Sequence, residues 1–120
     1  MITLGTTLRC NLPPRHIWVV LSDPQGTGGD ILMVNMTSLT EECVDDLCVL
    51  GPEDFDLLTH ATTVAYSRHR AGPVAGLQGL IDNGSFSVVK AVPRAVLQKI
   101  LAGARQSPQL PAAKKALLVH

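Results

Sequence analysis

Aromatic residues are scarce in this chain: one Trp, one Tyr and two Phe make up 3% of its 120 residues. A core here must be assembled from Val, Leu, Ile and Ala, and a hydrophobic content of 46% supplies them. Long apolar runs are missing too. No stretch approaches the roughly 18 to 20 apolar residues that cross a bilayer, and MITLGTTLRCNLPP lacks a basic start followed by an apolar run. The expectation is a cytoplasmic protein with no membrane contact. Cysteine is limited to Cys10, Cys43 and Cys48, an odd number without a disulfide framework and with no CxxC pair. A reduced compartment follows, with the thiols as small core hydrophobes or inert surface groups. The histidines and cysteines are scattered, with no i, i+4 pair and no finger spacing, so neither a metal nor another cofactor is expected. The glycines of PQGTGG are not followed by the Lys-Ser or Lys-Thr of a phosphate loop, and no GxSxG surrounds Ser22.

What is present is enough for one domain that folds without staples. The formal net charge is zero, yet the charges are segregated. Residues 41–56 carry seven acids (Glu41, Glu42, Asp45, Asp46, Glu53, Asp54, Asp56) and no base, whereas residues 57–120 carry eight Lys and Arg against Asp82 alone. Such runs are usually solvated faces. They form a polyanion site only if Arg15, Arg68 and Arg70 converge in space.

Short β-branched and apolar segments dominate the pattern. Strands are predicted at Thr6–Cys10, Ile17–Leu21, Ile31–Met36, Leu47–Leu50, Thr62–Tyr66 and Ser85–Lys90. Unbroken apolar character in IWVVL implies cover on both faces, and the glycine-containing loop from Asp23 to Asp30 joins the second and third strands as a hairpin. Phe55, Leu57 and Leu58 read as an apolar plug, and Trp18 reads as core more than as a platform for bases. After Pro93 the period changes: Val96, Leu97, Ile100, Leu101 and Ala104 share one helical face. Residues 106–120, with Pro108 and Pro111, read as a tail or linker holding a short helical or partner-binding element in PAAKKALLV. Many short strands and one late helix predict a mainly β domain, an antiparallel barrel or sandwich closed by a helix.

Polar residues with chemical capacity collect at strand ends. Arg15 and His16 precede the second strand, Thr37 and Ser38 follow the third, His60 precedes the fifth, and Ser67, Arg68, His69 and Arg70 follow it. A hairpin sets the start of one strand beside the end of its partner, so Arg15 and His16 should meet Thr37 and Ser38. Guanidinium, hydroxyl and imidazole together suit phosphate chemistry. Plainer roles are open to each: a guanidinium lying over the rim, hydroxyls bonded to local backbone, solvated imidazoles.

At these residues the chain resembles the MazF, PemK and Kid family of toxin endoribonucleases over about its first 105 residues. The resemblance lies in Arg15 opening RHIWVVLSD, in Thr37 ending ILMVNMTS, in THATTVAY with His60 where the family often has Asp, and in the closing helix of VPRAVLQKILAGA. His16 stands where the family has Pro, LGTTLRCNLPP replaces the Gly-Asp opening, and Ser67 and Arg68 stand in place of a Gln. The resemblance implies a small SH3-like antiparallel barrel with a C-terminal α-helix spanning 1–105, followed by the tail 106–120. It implies a homodimer that cuts single-stranded RNA at short sequences without metal, through the neighbouring ribose 2′-hydroxyl, and that pairs with an antitoxin protein. Arg15, Thr37, His16 and His60 are then the catalytic candidates, and Ser38, Ser67, Arg68 and Arg70 the substrate-binding ones. A barrel that binds a protein, or RNA without cutting it, is the alternative.

Overall fold

In the computed structural model, which describes residues 1–118, β-branched and aliphatic segments pair into one antiparallel sheet. The strands are β1 (Thr7–Cys10), β2 (Ile17–Val20), β3 (Asp30–Ser38), β4 (Val49–Leu50), β5 (Thr62–Pro73) and β6 (Phe86–Val88). Helix α1 (Val74–Asp82) links β5 to β6, and α2 (Arg94–Gln106) and the short α3 (Ala112–Lys115) end the chain. Spatial order is β4-β5-β3-β2-β1-β6, and among the described residues β4 does not pair with β6. The sheet is thus open at its edges rather than closed into a full barrel. The mainly β expectation holds.

The central strands are apolar on both faces because both are covered, as IWVVL implied. Alternation along β2 and β3 sends Val19, Leu21, Leu32, Val34 and Met36 to one face and Trp18, Val20, Ile31 and Met33 to the other. The first face packs on Val96, Ile100, Leu101 and Ala104 of α2 and on the plug residues Phe55 and Leu58. Tyr66 reaches across this core to donate a hydrogen bond to the Ile100 carbonyl at 2.7 Å. Gly103 makes that reach possible, since a Cβ there would collide with the Tyr66 hydroxyl. The second face packs on Leu77 of α1 and on Ile2, Leu8 and Phe86.

Sequence expectation and structure differ in several places. There is no single late helix: α1 forms over PVAGLQGLID, where Val74, Leu77 and Ile81 recur at helical spacing and turn toward the second face. The segment after Gln106 is not a free linker, because Leu110 and Leu118 are buried in the first core. The helical element expected in PAAKKALLV is α3, while residues 119–120 lie outside the described residues. β5 continues to Pro73 instead of stopping at Tyr66, so Ser67, Arg68, His69 and Arg70 lie within a strand. No helix among the described residues is long and apolar enough to cross a membrane.

Candidate functional site

The hairpin of β2 and β3 builds the first part of the site. Its loop contains Gly28 and Gly29 at φ +73° and +102°, backbone that glycine adopts without strain. Its register pairs Ile17 with Met36, which sets the residues just before β2 beside the end of β3. Arg15, His16, Thr37, Ser38 and His60 consequently wall one hollow of about 200 Å³. Arg15, Ser38 and His60 are exposed, whereas His16 and Thr37 are half-buried. Ser38 Oγ lies 2.7 Å from His60 Nε2, and Thr59 Oγ1 lies 3.0 Å from Nδ1, so both ring nitrogens are held. Burial, with the Arg68 guanidinium adding to it, moves the His16 pKa below the ordinary 6.5, against a weaker opposing pull from the Met36 backbone. His16 is therefore a neutral imidazole near pH 7.

Strand β5 supplies the second part. Opposite β3 its register passes from Ala65 facing Asn35 to Arg70 facing Met33, so Tyr66 to His69 bulge out against Val34. His69 Nδ1 closes the bulge by donating to the Tyr66 carbonyl at 2.8 Å. The bulge turns Arg68 toward two hollows. One, of about 460 Å³, is shared with Thr37 and Ser38, and the other, of about 580 Å³, is shared with His16 and Arg70. Arg15, Arg68 and Arg70 thus line adjoining hollows rather than a single one. Arg70 sits 5.5 Å above the Trp18 ring, and Trp18 itself is buried and meets Phe86 edge-on at 6.4 Å. Ser67 also reaches the 460 Å³ hollow, but its hydroxyl is already bonded to the Asp45 carboxylate.

Two residues of the site are not evident from the sequence pattern. Asp45, one acid in a run of seven between 41 and 56, is buried and accepts from the backbone and hydroxyl of Ser67. Its own carbonyl accepts from Thr63 Oγ1 at 2.6 Å, so the acidic segment is pinned to β5 instead of being solvated throughout. Asn35 is 3% exposed, and its Oδ1 has no hydrogen-bond partner. An orphan of this kind costs about 1–3 kcal/mol. The signal available was a lone amide inside the apolar run ILMVNM. Cys48 is buried, and its thiol pKa is pushed up by that burial, so it is no nucleophile. No group of His, Cys, Asp and Glu suited to a metal ion occurs among the described residues.

No protein-family model matches the chain, and no curated protein is significantly similar to it. Solved structures do share its fold. An endoribonuclease in complex with its cognate antitoxin from a mycobacterial species superposes with a TM-score of 0.59 at 16% identity, over 92% of this chain and 98% of that one. MazF in a MazE-MazF complex from Deinococcus radiodurans superposes at 0.55 and 13% identity, over 92% and 97% of the two chains. A second form of that complex gives 0.51 at 14% identity, over 84% and 89%. The chain therefore has a MazF-like fold along nearly its whole length.

Proposed function

We propose that this chain is an endoribonuclease toxin that cleaves single-stranded RNA and is restrained by an antitoxin protein. One observation carries the reading: the Arg15 guanidinium, the Thr37 and Ser38 hydroxyls and the His16 and His60 imidazoles, from three separate segments, wall a single hollow in a MazF-like fold. The names of the similar structures, MazE-MazF and an endoribonuclease with its antitoxin, support both the reaction class and the partner.

The chemistry follows from the groups. A ribose 2′-oxygen attacks the adjacent phosphorus as the bond to the 5′-oxygen breaks, leaving a 2′,3′-cyclic phosphate and a 5′-hydroxyl. Neutral His16 takes the 2′-hydroxyl proton, which its lowered pKa suits. His60, held by Ser38 and Thr59, gives a proton of its own to the leaving 5′-oxygen, and exchange with solvent then restores both imidazoles. Arg15 offsets charge on the phosphorane oxygens, and Thr37 with Ser38 donates to one of them. Arg68 and Arg70 steer flanking phosphates. None of these steps calls on a metal. The same reading expects two copies of the chain to associate, which sedimentation would detect.

The decisive experiment is cleavage of a long labelled single-stranded RNA in EDTA, with the new ends tested for 5′-hydroxyl. Arg15→Ala and Thr37→Ala should each lower the rate about a hundredfold or more while the protein stays folded. Equal activity in either mutant would sink its assignment. Folded protein that cuts no RNA would favour the alternative, a domain that binds a protein or RNA without cleavage.

A further inference from the structure

Among the described residues, the buried side-chain atom without a hydrogen-bond partner is Asn35 Oδ1. Asn35 pairs directly with Trp18 across β2 and β3, so the two side chains share a face. Both line the 580 Å³ hollow, together with His16, Arg68, Arg70 and Phe86. This volume falls within the roughly 300–1,000 Å³ of small-molecule sites. Through His16 the hollow adjoins the Arg15 and Thr37 hollow. It thus joins a buried acceptor, a cation stacked over an indole and a second cation, next to the site proposed for phosphate.

We infer that this hollow takes a nucleobase of the RNA, one bearing an exocyclic amino group: adenine, cytosine or guanine. The inference rests on the RNA reading above and deepens it. Unstacked bases are held on aromatic rings and guanidinium planes and read along their edges. The exposed Arg70, seated on Trp18, offers its outer side to the base. Asn35 Oδ1 accepts from the amino group, as amide and carboxylate oxygens do from adenine N6 and cytosine N4. Uracil has no amino group, and its one edge donor, N3–H, lies between two carbonyl oxygens that meet the amide oxygen as acceptor against acceptor. Asn35 is therefore a specificity residue, and Arg68 holds the phosphate between this base and the cleaved one.

Trp18 is the sole tryptophan of the chain, so its emission reports on the hollow directly. Titration of the wild-type protein with AMP, CMP, GMP and UMP should give a saturable change, with AMP, CMP or GMP binding at least about fivefold tighter than UMP, the scale of one lost hydrogen bond. Asn35→Leu and Asn35→Ala, checked for folding by circular dichroism, should erase that preference. No saturable change, equal affinities, or a preference that survives in a folded variant would overturn the inference. So would emission that shifts with protein concentration alone, because a second copy would then fill the hollow. The wild-type comparison of AMP, CMP and GMP with UMP decides the matter even if both variants fail to fold. Nucleotide binding without RNA cleavage would overturn the nuclease and keep the pocket, whereas cleavage without base preference would do the reverse.

Discussion

Under α2 and the C-terminal segment, one face of the sheet buries Val19, Leu32, Val34 and Val64 with no unpartnered side-chain polar atom among the described residues. The opposite face packs on Leu77 of α1 around Val20, Ile31 and Met33, and farther along β3 come Asn35 and the half-buried Thr37, beside the bulged β5 and the exposed arginines. Density of apolar contact secures the first face, and incomplete cover gives the second its chemistry. Substitutions on the two faces should therefore separate: stability lost on one, cleavage on the other.

The largest expected effect tests the closed face. Phe55 is 2% exposed, and Phe55→Ala should lower unfolding free energy by about 3–5 kcal/mol, measured by urea denaturation. Wild-type stability in that variant would mean that the plug is not part of the core. Gly103→Ala comes next. Alanine ordinarily favours a helix over glycine, but a Cβ here meets the Tyr66 hydroxyl, so a net loss of about 1–3 kcal/mol is expected from overpacking. A stabilised Gly103→Ala would show that Tyr66 can give way.

On the open face, His16 supplies a pH signature. Its folded pKa lies below the unfolded 6.5, so between the two values the unfolded chain binds more protons. Stability should fall as pH drops through 6.5, and His16→Gln should flatten that part of the profile. With His16 as the base, wild-type cleavage should persist to a pH below 6.5 before it declines. An unchanged stability profile in His16→Gln would remove burial as the cause. The smallest effect belongs to the exposed pair of Lys90 and Asp56. Lys90→Ala should change stability by less than about 1 kcal/mol, less still in high salt.

Much of the first hollow is legible in local sequence patterns. Arg15, His16, Thr37 and Ser38 meet because a hairpin loop and apolar alternation set one register, and both features are local. The place of Ser67, Arg68 and Arg70 is not legible in this way. SRHR has the composition of a solvated run, and only pairing with β3 draws it into a strand with a bulge. Helix α1 is masked by Gly76 and Gly79, which weaken helical propensity while the spacing of Val74, Leu77 and Ile81 keeps the amphipathic signal. The prolines of the tail suggest a linker, yet Leu110 and Leu118 find room in the core.

By itself the sequence determined the order of the strands, their central hairpin, the late helix α2 and the meeting of Arg15 with Thr37, because periodicity and turn chemistry act between near neighbours. Only the tertiary structure decided that Asp45 would be buried against Ser67, that Arg68 would reach two hollows, and that Asn35 would hold an unpaired oxygen. Each depends on how groups far apart in the chain share one desolvated space, and no local pattern encodes that.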